Sequence, residues 1–183
     1  MSFGHINPCC CPSFLCSQGA TGPQGPQGPQ GPPGQAQTPA YGGIYSNGLS
    51  SRHITARPQN IDMPMEMPHR GVNYDFSDIM ASYIVITIPG VYEVNYSIGI
   101  NKSSGDHVFP WIKALRNGEE IPGGELFSSL ANTSLDDYVN FSNSFMSYFV
   151  AGDRISLSVS TPATPFYNNL SSARLTVKLL DQY

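Results

Sequence analysis

Residues 1–51 contain no Asp, Glu, Lys or Arg; the first charged side chain is Arg52. All 13 acids and all 9 Lys/Arg lie beyond that point. A stretch without charge, dominated by Gly, Pro, Gln and Cys, cannot fold a core of its own. The rest of the chain lacks cysteine, since all four stand at 9, 10, 11 and 16. Folding beyond residue 16 therefore does not depend on disulfides. No run approaches the roughly 20 apolar residues of a membrane helix, so no membrane span is expected. Residues 1–16 also lack the basic start and long apolar run of a secretory signal, and no signal peptide is expected. With a net charge of −4 and no basic stripe, nucleic acid is a poor candidate partner.

Catalytic signatures are equally absent. There is no Gly-x-Ser-x-Gly, no His-Glu-x-x-His and no phosphate loop, so the reading expects no enzyme, no cofactor and no metal. His53, His69 and His107 are isolated and read as surface or turn residues. Asp136 with Asp137, and Asp75 with Asp78, offer oxygens to calcium, but without EF-hand spacing they read as solvated loop acids.

What is present begins with six consecutive Gly-x-y triplets over residues 19–36, with Gly19, Gly22, Gly25, Gly28, Gly31 and Gly34 in strict period. The collagen triple helix requires this period, because every third residue faces an axis where only a hydrogen side chain fits. Three chains are therefore expected. At about 3.1 Å per residue the stalk would span roughly 55 Å. So short a triple helix would be marginal alone, so a trimeric head must hold its chains in register.

Three organisational units follow: a Cys-rich leader, 1–18; the stalk, 19–36; and a head, 37–183, in which 37–40 serve as linker. Three adjacent cysteines are poorly placed to pair among themselves, because a disulfide wants Cα atoms about 5.5 Å apart with defined torsions. A trimer brings these thiols together, which favours inter-subunit disulfides through Cys9, Cys10, Cys11 and Cys16. A free-thiol segment and a loose metal binder are the alternatives; zinc is the weaker, for want of a second Cys/His pair at the usual distance.

The head reads as short strands between turns. In residues 90–100, Tyr92, Val94, Tyr96, Ile98 and Ile100 point one way and Glu93, Asn95, Ser97 and Gly99 the other. Residues 154–160 and 174–180 repeat the alternation, and 83–88 is apolar on both faces. Turns are expected at Pro89-Gly90, Asn117-Gly118, Pro122-Gly123-Gly124 and Ala151-Gly152-Asp153. No long helical period is found, so the reading is all-β, a sandwich or barrel. Residues 141–150 carry large apolar side chains on both faces: Phe145 and Phe149 on one, Met146, Tyr148 and Val150 on the other. Either this is a central strand under loops, or one face packs neighbouring subunits. The second reading makes Trp111, Tyr138 and Tyr148 the candidates for the trimer interface.

The motif order of the head resembles the complement C1q/TNF superfamily of trimeric jelly rolls. The likeness rests on Gly90-Val91-Tyr92 with Tyr96 and Ile98, on Asn117-Gly118, on Ala151-Gly152-Asp153-Arg154-Ile155-Ser156-Leu157, and on Leu175-Thr176-Val177-Lys178-Leu179. More narrowly, the Gly-Pro-Gln run before Tyr41-Gly42-Gly43-Ile44-Tyr45-Ser46-Asn47-Gly48 resembles the Bacillus collagen-like exosporium proteins of the BclA type. The resemblance implies a jelly-roll β-sandwich of about ten strands, a homotrimer and a structural role on a spore surface. It departs from that family in its short stalk and its CCC cluster.

Two uses of the leader are expected. It can dock on the next head, through Phe3, Ile6, Phe14 and Leu15 and sealed by disulfides, to give head-to-tail fibre growth. Alternatively it tethers single trimers to a spore surface protein. A phage tail-fibre or adhesin tip, with a receptor-binding head, is the competing reading.

Overall fold

The computed structural model describes residues 22–31, 39–48, 54–102, 107–108, 110–128, 130–131, 138–161 and 168–182. The chain divides into two units, Met1–Gln35 and Ala36–Tyr183. In the first, residues 22–31 are exposed and form neither helix nor strand.

The second unit is built from strands alone among its described residues. In chain order they are β1 (Tyr41–Asn47), β2 (Gln59–Asn60), β3 (Met65–Glu66), β4 (Val72–Asp78), β5 (Ala81–Ile86), β6 (Gly90–Lys102) and β7 (His107–Val108). There follow β8 (Trp111–Arg116), β9 (Glu119–Phe127), β10 (Leu130–Ala131), β11 (Tyr138–Phe149), β12 (Arg154–Ser160) and β13 (Asn168–Asp181). One sheet runs β11-β6-β13-β1-β3 and the other β4-β5-β12-β8-β9, with β2 also on β12; β7 and β10 form a separate pair. Every recorded pairing is antiparallel. We call the first the β6 sheet and the second the β12 sheet.

The alternation in β6 places its apolar set inward as expected: Tyr92, Val94, Tyr96, Ile98 and Ile100 are all buried. They meet Ile155, Leu157 and Val159 of β12 and Ile112 of β8 in one core. Each such side chain contributes about 1.5–3 kcal/mol of transfer free energy, much of it offset by chain entropy. On the other face of β12, Ser156, Ser158 and Ser160 are buried as well. Their cross-strand neighbours Leu115, Lys113 and Trp111 are larger and screen them.

One open side of the sandwich is closed by residues 54–70. Its β2 pairs with β12 and its β3 pairs with β1, so the segment bridges the two sheets. Ile54, Ile61 and Met63 fill the gap beneath it. Tyr74 of β4 secures it: the hydroxyl accepts from the Gly43 amide at 2.8 Å and donates to the Met67 carbonyl at 2.9 Å.

Asn117 and Gly118 adopt φ of 54° and 89° and join β8 to β9, as a two-residue hairpin of Asn-Gly type demands. The Pro122-Gly123-Gly124 run differs from expectation. It is an irregularity inside β9, where the register slips between Lys113 and Leu115. Glycine serves bulges as readily as turns. Nearby, β7 and β8 are separate elements with Pro110 between them, which has no amide to give a ladder.

Candidate functional site: the outer face of the β6 sheet

β11 is an edge strand, not a central one. Its inward side carries Phe141 and Phe149, both buried. The opposite side presents Tyr138, Met146 and Tyr148, with Val150 just beyond the strand; Met146 is 67% exposed. No loop covers these apolar groups among the described residues, so the central-strand reading fails. Leu180 of β13 is another exposed apolar residue near the same end, where Tyr148 pairs with Val91 and Val91 with Asp181. The chain enters the head here too, since the Leu179 amide donates to the Ala40 carbonyl at 2.7 Å.

The middle of this face is polar. Asn95, Ser97, Ser142, Ser144, Arg174 and Thr176 line a concavity of about 560 Å³, with Tyr96 and Asn143 behind them. Arg174 belongs to neither of the two ion pairs found among the described residues, Lys113–Glu120 and Arg154–Asp75. Behind the concavity, Asn143 donates to the carbonyls of Gly123 at 3.0 Å and Glu125 at 3.3 Å, which ties the β11 edge to the β9 edge. Tyr96 donates to the Gly124 carbonyl at 3.2 Å. Burial raises the pKa of Tyr96; the contact with Asn143 acts against this and Glu125 adds to it.

Farther from the chain entry, Tyr138 crosses the strand beside it. Its hydroxyl lies 2.7 Å from Ser172 Oγ on β13, so the side chain spans β6 at Gly99. A Cβ at Gly99 would run into the Tyr138 hydroxyl and come within 2.6 Å of Ser172 Oγ. Only a glycine admits the ring, and the sequence reading missed this role for Gly99. A lone glycine in an otherwise regular strand was the available signal.

The expected interface residues do not share one surface. Tyr138 and Tyr148 lie on the outer face of the β6 sheet, as the alternation of β11 requires. Trp111 is on the opposite sheet, its neighbour Ile112 pointing into the core, and stacks edge-on against Phe127 at 6.3 Å with Lys113 over its ring at 4.0 Å. Trp111 and the two tyrosines therefore lie on different sheets, because strand parity assigns a face but not a sheet. Gly22, Gly25, Gly28 and Gly31 lie in the exposed segment 22–31, and a Cβ at any of them would meet nothing within 4 Å. Within one chain, nothing there demands glycine. Gly19, Gly34, Cys9, Cys10, Cys11, Cys16, Phe3, Ile6, Phe14 and Leu15 lie outside the described residues.

Of the four loop acids, Asp75 and Asp78 make contacts within the head. Asp75 accepts from the Ser77 amide at 2.9 Å and pairs with Arg154 at 2.6 Å. These contacts, the Ser77 hydrogen bonds foremost, hold its pKa below the ordinary carboxylate value. Asp78 accepts from the Met80 amide at 2.9 Å. Asp136 and Asp137 lie outside the described residues. Among the described residues no cluster of His, Cys, Asp or Glu suits a metal, and no helix is long and apolar enough to cross a membrane.

No family model matches the sequence, and no curated protein does. Solved structures do match the fold. The globular domain of zebrafish complement 1qA superposes with a TM-score of 0.50 at 13% identity, covering 79% of this chain and 99% of that one. Murine APRIL gives 0.49 at 11% identity, covering 78% and 100%. The TNF Eiger from S. frugiperda gives 0.48 at 14% identity, covering 79% and 93%. The head is thus an all-β sandwich with the jelly-roll fold of the complement 1qA globular domain. At these identities the likeness speaks for the fold alone.

Proposed function

We propose that the chain is a non-enzymatic structural protein of a bacterial spore surface. Three copies wind residues 19–36 into a collagen stalk behind a trimeric head, and the leader joins each trimer to a fibre or to a surface protein. One observation carries the reading: a strict glycine period precedes a C1q/TNF-like head. The glycines at 22, 25, 28 and 31 meet no steric demand within their own chain, and a triple helix supplies that demand. Exposed Met146 and Tyr148 support assembly through the β6 sheet, since apolar groups on a solvated strand face favour burial against a neighbour. The spore-surface assignment rests on the likeness of the Gly-Pro-Gln run and the following Tyr41–Gly48 segment to the exosporium proteins.

A second reading, an adhesin or phage-fibre tip, draws on the β4–β5 turn. Ile79 and Met80 stand exposed there, at the end of the sandwich remote from Ala40. A receptor contact would use such a tip. Electron microscopy of the purified full chain with and without reductant separates the readings. Fibres of uniform repeat that shorten on reduction support leader-sealed assembly. Single lollipop trimers in both conditions leave tethering or a tip role. A monomeric native mass overturns the stalked trimer itself.

A further inference from the structure

Arg174 is an exposed cation in a concavity otherwise lined by neutral polar groups, and it has no carboxylate partner among the described residues. Glu125 is the complementary case. Its cross-strand neighbour is Lys113, but Lys113 is already bonded to Glu120. Glu125 remains exposed on the edge strand β9, without an ion pair among the described residues. Two uncompensated opposite charges therefore stand on different surfaces of one head, one on a sheet face and the other on a flank.

Their levels match. Asn143 is bonded to the Glu125 carbonyl and is paired in register with Tyr96. Tyr96 is adjacent to Ser97, whose partner on β13 is Arg174. Glu125 and Arg174 thus lie within about one residue of each other along the strands, a rise of about 3.4 Å. Rotation about an axis running along the sandwich keeps every group at its own level. A flank from one copy set into the face of the next then brings Glu125 to the height of Arg174. Such a contact is heterologous and closes into a ring.

We infer that Arg174 of one head binds the Glu125 carboxylate of the neighbouring head, three times around the trimer. The inference rests on the trimer reading above and adds its specific contact. An Arg–carboxylate fork fixes orientation as well as attraction, so the pair sets which way the ring closes. Serine and asparagine hydroxyls and amides around Arg174 supply the remaining acceptors and donors that a desolvated pair requires.

Charge reversal tests it in the full chain. Sedimentation velocity is run with reductant, above the melting temperature of the stalk, so that the heads alone hold the trimer. Arg174→Glu and Glu125→Arg should each raise the trimer dissociation constant about tenfold or more. The double variant should recover to within about threefold of the unmodified chain, as a coupled pair does. Both residues are exposed, and circular dichroism of each variant confirms that the fold is intact. A trimer indifferent to either single reversal overturns the pair and leaves the trimer reading standing. Loss with Arg174→Glu that Glu125→Arg neither shares nor rescues also overturns it, and assigns Arg174 to another carboxylate or to a free anion. An unmodified chain that is monomeric under native conditions, below the stalk transition, overturns the trimer reading first.

Discussion

Asn117 donates its side-chain amide to Asp153 Oδ1 at 2.8 Å. The two residues come from the Asn-Gly hairpin and the Ala-Gly-Asp turn, and the contact makes them one joint. Asp153 Oδ2 accepts from the Val150 amide at 2.9 Å, and Asn117 Oδ1 accepts from the Arg154 amide at 2.9 Å. Asn117 also holds a positive φ, which an Asn tolerates better than most residues. The β8–β9 and β11–β12 turns are thereby locked together at the end where the chain enters.

Removing the carboxylate should open this joint. Asp153 is buried, and Asp153→Ala leaves the Val150 amide and the Asn117 side chain without their acceptor. Both bonds are part-buried and made to a carboxylate, and such bonds contribute about 1.5–3 kcal/mol each. The expected result is a loss of about 2–4 kcal/mol in urea unfolding with an unchanged slope. Asp153→Asn keeps the shape and one acceptor and should lose less.

At the other end, Gly99→Ala should displace Tyr138 from Ser172. The added methyl enters the space of the tyrosine hydroxyl. Tyr138 is half exposed and its ring can swing aside, so the expected cost is about 1 kcal/mol, chiefly the lost hydrogen bond. Tyr138→Phe removes only the hydrogen bond and should cost about 1 kcal/mol. If Gly99→Ala melts with the unmodified chain, the ring does not lie across β6 in solution.

Much of this architecture was legible. The inward set of β6 and the two apolar sides of β11 followed from a period of two, because a strand in a sandwich shows its neighbours alternate faces. The sheet to which Trp111 belongs was not legible, since parity is local and sheet membership depends on pairing far along the chain. The bridging role of 54–70 was hidden for a related reason. Two-residue strands carry no period, and the Met-Pro-Met-Glu-Met-Pro run there reads as loop. Arg174 was missed because its meaning lies in the absence of a partner, which appears only when registers are known.

Alkaline pH should unfold the head through its buried tyrosines. Tyr92 is fully buried, donates to the Ile88 carbonyl at 2.7 Å, and burial pushes its pKa up to about 12. Burial also raises Tyr74. Below pH 10 both folded and unfolded forms keep these protons, and stability does not depend on them. Above the ordinary value of 10.0, the unfolded chain releases protons that the folded chain holds. Rising pH then favours unfolding until the folded Tyr92 hydroxyl ionises near pH 12. The urea midpoint should fall steadily from pH 10 upward, and Tyr92→Phe should flatten that fall. A midpoint constant to pH 12 would contradict the burial of Tyr92.

Stalk and head should fail separately. Gly28→Ala adds a methyl that meets nothing within its own chain, so a lone strand would tolerate it. In a triple helix three such methyls crowd one axis, and the expected effect is a lower stalk transition in circular dichroism. Native mass should remain that of a trimer, because the heads keep the chains in register. An unchanged stalk transition would place no triple helix at residue 28. Loss of the trimer along with the stalk would mean that the stalk, rather than the β6 sheet face, holds the three copies together.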